Sequence, residues 1–173
     1  MFELKPLSQA AIARSLEKAV RYRLLNEPWE AESICLDVLL ADPENQEALV
    51  TLLLALTDGF GGLPGVDVRR PTEILPRLGD PYARHYYAGI IHERWAQALA
   101  AKGVPGHVCL SWIREAMRAY EKAADLSPPG NEDAILRWNA CVRFVERHEP
   151  LESGRSDVRI TAEANHGDEM PLR

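Results

Sequence analysis

Apolar residues recur every three to four positions along almost the whole stretch from Ser8 to Arg147, and nowhere do apolar and polar residues alternate through a β-branched run. That spacing puts the apolar side chains on one stripe of an α-helix and leaves no half-buried strand, whose period is two. The expected fold class is therefore all-α.

The stripes divide into separate helices. Ile12, Leu16, Ala19 and Val20, then Arg23 and Leu24, mark a first helix over Ser8 to Leu25, followed by a turn at Asn26. Pro28 fits the first position of a second helix, where a missing N–H costs nothing, and Glu30 and Glu32 favour its positive end. Its stripe is Ala31, Ile34, Cys35, Val38 and Leu39, and Asp42-Pro43 ends it because a residue before proline leaves the α region. A third helix begins near Asn45 and carries Ala48, Leu49, Leu52, Leu53 and Leu56. Residues 58–80 hold Gly59, Gly61, Gly62, Pro64, Gly65, Pro71, Pro76 and Gly79, so they read as a long loop insertion with one short helix around Thr72 to Leu78.

Asp80-Pro81 is a cap followed by proline and opens the longest helix, to about Ala101. Ala83, Tyr87, Ile91, Trp95 and Leu99 form its stripe, which Tyr86 and Ile90 widen. Ser111 is the expected cap of the next helix, with Ile113, Ala116, Tyr120 and Ala123 inward and Pro128-Pro129-Gly130 as its stop. A last helix from Asn131 to about Arg147 carries Ala134, Ile135, Trp138, Cys141 and Val142. Residues 149–173 have few large apolar groups and are expected to form a flexible tail beyond a helical domain of residues 1–148.

Composition narrows the function. A chain of 173 residues is expected to be one domain with its own core. Its formal net charge is −6, with Lys and Arg scattered among acids, which argues against a reader of nucleic-acid backbones. Tyr86, Tyr87, Trp95, Trp112, Trp138 and Trp29 lack the basic surround of a base-stacking platform. Cys35, Cys109 and Cys141 form no CxxC pair and read as small apolar residues in a reducing compartment. The N-terminal residues lack a signal-peptide core, and the apolar run Ala48 to Leu56 is too short to span a bilayer, so the expectation is a cytoplasmic chain without membrane contact.

Catalytic patterns find little support. His92-Glu93 begins like a zinc-protease motif, but Ala96 occupies the place of the second histidine, and His85 lies two turns away. GFGGLPG has neither the glycine order nor the Lys of a phosphate loop, and no GxSxG elbow occurs. No metal, cofactor or catalytic residue is expected.

Two helix pairs share a grammar. The first runs through Ala19 to Tyr22, Ala31, Cys35, Val38 and Asp42-Pro43. The second runs through Glu115-Ala116, Tyr120-Glu121-Lys122-Ala123, Leu126 and Ser127-Pro128. The segments EAMRAYEKAADLSP and AESICLDVLLADPENQEAL resemble the second helix, closing proline and next start of the tetratricopeptide repeat, whose period is about 34 residues. Ala88-Gly89 resembles a small-residue crossing in a further first helix, with an insertion around Ala98 to Leu110 lengthening that repeat. The resemblance implies a right-handed superhelix of antiparallel pairs, about three irregular repeats, with the helix from Asn131 as a solvating cap.

It also implies a concave groove lined by first helices. Carried over position by position, that groove would hold Leu16, Val20, Arg23 and Leu24, then Val50, Leu54 and Thr57, then Tyr86, Ile90, Glu93, Arg94 and Gln97, and finally Asn139, Val142 and Arg143. TDGF would set Asp58 at a helix end facing it. The family's chaperone-binding carboxylate clamp is not implied, because Leu16, Val20 and Thr51 stand at its positions. The resulting expectation is an adaptor that binds a protein or peptide segment in the groove. The alternatives are a self-associating or secretion-chaperone-like protein and an enzyme with a site around His85, His92 and Glu93.

Overall fold

The computed structural model describes residues 2–62 and 67–148, and among them every regular element is helical. Seven α-helices follow one another: α1 Ile12–Leu24, α2 Pro28–Ala41, α3 Gln46–Asp58, α4 Arg69–Ile74, α5 Pro81–Ala101, α6 Gly106–Asp125 and α7 Asp133–His148. Short 3-10 turns precede α1 at Gln9–Ala11 and follow α4 at Leu75–Arg77. The tail expected over residues 149–173 lies outside the described residues, as do residues 63–66 of the loop.

Helix ends are set by local chemistry. Asn26 closes α1 with φ of 59°, a left-handed conformation that asparagine tolerates, and the Glu27 N–H reaches back to the Tyr22 carbonyl at 2.9 Å. Pro28 then opens α2. The Asn45 side chain accepts from the Ala48 N–H at 2.9 Å, and the Asp80 side chain accepts from the Tyr82 N–H at 2.9 Å, capping α3 and α5. Gly103, at φ of 74°, stops α5, and Val104 N–H bonds Leu99 O at 3.1 Å.

The starts of two helices depart clearly from the sequence expectation. Pro105, not Ser111, is the N-cap of α6, and the Ser111 hydroxyl bonds the Val108 carbonyl at 2.7 Å inside the helix. A serine satisfied by its own preceding turn does not need a helix start. The stretch Ala98 to Leu110, expected as an insertion, forms the end of α5 and the start of α6, joined by a short turn. The short helix in the 58–80 segment begins at Arg69 rather than Thr72. That segment is also anchored. Gln46 accepts from Gly79 N–H at 2.8 Å and donates to Arg77 O at 3.2 Å, while Phe60, Ile74 and Leu78 are buried.

Among the described residues the buried apolar side chains form three clusters. The first joins Ala19, Ala31, Cys35, Leu49, Leu53, Phe60, Ile74, Leu78 and Ile91. The second joins Ile90, Ala96, Ile113, Ala116, Tyr120 and Cys141. A smaller third holds Ile12, Leu16, Val38 and Ala48. Helix α5 feeds two of them from adjacent faces, Ile91 into the first and Ile90 into the second. Ile90, with the partly buried Tyr86 beside it, thus forms a second packed face rather than a wider single stripe.

The α5–α6 crossing leaves no room for a side chain at Gly89. A Cβ there would lie 2.4 Å from Cε1 of Tyr120, whose ring is fully buried. Gly89→Ala gains helix propensity of about 1 kcal/mol but forces the ring off α5. A net loss of roughly 1–3 kcal/mol in urea unfolding is expected; an unchanged midpoint would show that the helices separate freely.

Candidate functional site

Asp58 is the last residue of α3, where the helix dipole disfavours a carboxylate. Two guanidiniums offset this. Arg23 of α1 donates through Nε to Oδ2 at 2.8 Å, and Arg94 of α5 donates through Nη1 to Oδ1 at 2.5 Å. The same Arg94 nitrogen reaches Thr57 Oγ1 at 2.7 Å and Leu54 O at 3.4 Å, so it also caps the end of α3. The Thr57 hydroxyl in turn donates to Leu54 O at 2.9 Å. The side chains of Arg23, Asp58 and Arg94 keep 18%, 21% and 25% of their exposure, so the cluster stays in touch with water. Two formal positive charges against one negative leave a surplus of one.

A second polar node lies deeper. Glu93 is 2% exposed and accepts from the Tyr120 hydroxyl at 2.6 Å, from Gln97 Nε2 at 3.1 Å and from Arg137 Nη1 of α7 at 3.5 Å. Burial, then the Glu93 charge, pushes the Tyr120 hydroxyl far above its usual range. Burial works against the Arg137 charge, but Glu93 and a hydrogen bond with Tyr86 outweigh it and raise its pKa. Tyr86 stacks on Tyr82 at 5.6 Å and meets Tyr87 edge-on at 5.3 Å.

The groove positions implied by the resemblance scatter across these environments. Arg23, Tyr86 and Arg94 are partly exposed, and the two arginines meet at Asp58, which stands at a helix end as expected from TDGF. Val20 is exposed on α1. Thr57 and Glu93 are buried but hydrogen-bonded. Leu16 and Ile90, each 2% exposed, are core residues and line no open face, because α2 and α3 cover the first and α6 and α7 the second. Asn139 and Arg143 are exposed on α7 and join neither node. Sequence reasoning missed Tyr120 and Arg137 as partners of Glu93; an arginine interrupting the run from Ala134 to Trp138 was the available signal.

Beside Asp58 a cleft of about 620 Å³ opens between the α1–α2 turn and the glycines after α3. Asn26, Glu27, Trp29, Glu30, Gly59 and Gly62 line it, and Trp29 is 64% exposed. On α5, His92 packs against Trp112 of α6 at 5.5 Å with Nδ1 buried and unpartnered among the described residues. Burial lowers its pKa from 6.5, with Glu115 acting the other way. Among the described residues no group of three or more His, Cys, Asp or Glu side chains converges to hold a metal, and no helix is long and apolar enough to cross a membrane.

Tyr120→Phe removes a donor from a buried carboxylate and should cost about 1–3 kcal/mol in chemical unfolding; a neutral result would mean water replaces the phenol. For His92 the native pKa lies below the unfolded one, so the unfolded chain takes the proton first. Its stabilising contribution is present above about pH 6.5 and is lost as pH falls toward the lowered native value. The urea midpoint should drop between about pH 7.5 and about pH 5.5, and His92→Phe should shrink that drop. An identical drop in the variant would assign it to other groups.

No family model, curated protein or solved structure matches the chain.

Proposed function

We propose that the chain is a tetratricopeptide-like adaptor, and that it binds a segment of a partner protein on the face shared by α1, α3 and α5. Its helices pair as α1 with α2, α3 with the short α4, and α5 with α6, and α7 closes the series. Support comes from small residues where the long pairs cross: Ala19 and Ala31 in the first, Gly89 and Ala116 in the last, all buried. Pro43 and Pro128 follow the second helix of those two pairs.

The observation that carries the binding role is the Arg23–Asp58–Arg94 cluster. Side chains from three separate helices converge there, hold their geometry through charge-assisted hydrogen bonds, and remain partly wet. A rigid polar centre with exposed Val20 beside it, and Trp29 in the adjoining cleft, matches the anchors and polar contacts of a protein-recognition surface. Binding rather than catalysis fits the cysteines too: burial pushes the Cys35 and Cys141 thiols up to about 12, which suppresses the nucleophilic thiolate. Three separate, buried free thiols also suit a reducing, cytoplasmic setting.

The test is affinity capture with mass spectrometry, using the full chain and a Val20→Glu/Leu24→Lys variant. Both positions are exposed and leave the Asp58 cluster in place. The expected result is a partner captured by the wild type and depleted at least about tenfold by the variant, with unchanged melting, as loss of an interface anchor produces. Equal capture by both would remove this face as the binding site.

A further inference from the structure

The far end of the array carries an apolar groove that the adaptor reading does not use. It lies between the end of α6 and the start of α7, measures about 210 Å³, and is lined by Tyr120, Ala124, Ala134, Ile135 and Trp138. Ile135 is 48% exposed, and neighbouring Leu136 and Leu126 are 64% and 49% exposed. Such a cluster at one end of a helical stack is more than scattered surface apolarity. The charged residues that line the groove, Glu121 and Asp125, are both acidic, and Glu132 and Asp133 continue that sign at the start of α7.

The opposite end has the complementary chemistry. On α1 the buried positions are Ile12, Leu16 and Ala19. Arg14, Lys18, Arg21 and Leu25 recur every three to four residues on the reverse side, all exposed, with Leu25 at 60%. This gives one helix stripe of three cations ending in an apolar side chain, with the single acid Glu17 at its edge. The other end gives an apolar slot with two carboxylates, Glu121 and Asp125, in its lining and two more, Glu132 and Asp133, where α7 begins.

We propose that the α6–α7 groove receives the outer face of α1 from a second copy of this chain. Leu25 enters the apolar slot beside Ile135 and Trp138, and Arg14, Lys18 and Arg21 run along the acidic rim. The two surfaces differ, so the contact is heterologous, and each added copy presents a fresh groove and a fresh α1 face. Charge pairing at the rim sets the orientation and makes association sensitive to salt.

Sedimentation equilibrium of the full chain tests this. The wild-type mass should rise with concentration beyond that of one chain and fall back as salt is added. Ile135→Glu, which blocks the groove, and Arg14→Glu/Arg21→Glu, which reverses the α1 face, should each be monomeric where the wild type associates. All three positions are exposed, so the variants retain the fold. Mixed in equal amounts, the two variants should form a one-to-one dimer and nothing larger, since each keeps one intact surface; misfolded chains would not recover association. A wild type monomeric at every concentration overturns the proposal, including the case where Ile135→Glu lowers the melting temperature of that monomer, because the chain then covers its own groove. Self-association by either variant alone overturns it as well, because the interface would then be symmetric or elsewhere.

Discussion

Tyr120 lies against the backbone of α5 because residue 89 is glycine, and much of the arrangement depends on that contact. The ring fills the α5–α6 crossing, and its hydroxyl reaches Glu93, the most buried charged side chain among the described residues. An isolated carboxylate at that depth would cost several kcal/mol. Tyr120, Gln97 and Arg137 offset this from three helices, so the satisfied network also fixes where α7 lies. Since the other face of α5 fills the first core through Ile91, both halves of the molecule take their positions from one helix.

This double role explains what could be read from the sequence. The existence of the long helices followed from apolar spacing alone, and their starts from Pro28, Asn45 and Asp80-Pro81. Periodicity reports that a side chain is apolar and shares a stripe, not which neighbour covers it. For Leu16 and Ile90 it could not separate an open groove from a second core face. Ser111 misled because a hydroxyl that bonds its own preceding turn has the same letter as a cap. Glu93 reads as a surface residue until Tyr120 and Arg137, 27 and 44 positions away, are brought to it by tertiary packing.

The two acidic residues of this region have opposite characters. Glu93 is enclosed, and its partners use its lone pairs, so it stabilises and does little else. Asp58 is shared by Arg23 and Arg94 at the margin of a cleft, where water still reaches all three. A guanidinium has five N–H groups, and the contacts to Asp58 use Nε of Arg23 and Nη1 of Arg94. Hydrogen-bonding capacity and a surplus positive charge therefore coincide on the open node, while the closed node keeps the helices beneath it from shifting. Binding sites gain from such support, because side chains held in place lose less entropy when a ligand arrives.

The proposed self-association and the proposed partner binding would use different surfaces and so would not compete. The proposed stacking contact would involve the outer side of α1 and the α6–α7 groove, whereas Asp58 meets α1 and α5 from the end of α3. Copies joined head to tail would repeat the Asp58 node at a constant spacing along the stack. A partner with one matching segment would gain nothing from this. A partner with several would bind its second segment at the high effective concentration set by the first, and its avidity would depend on the spacing between segments rather than on any new contact. The acidic rim adds a condition: salt strong enough to loosen the stack would remove that avidity before it weakened the half-buried Arg23–Asp58–Arg94 cluster, which is screened less.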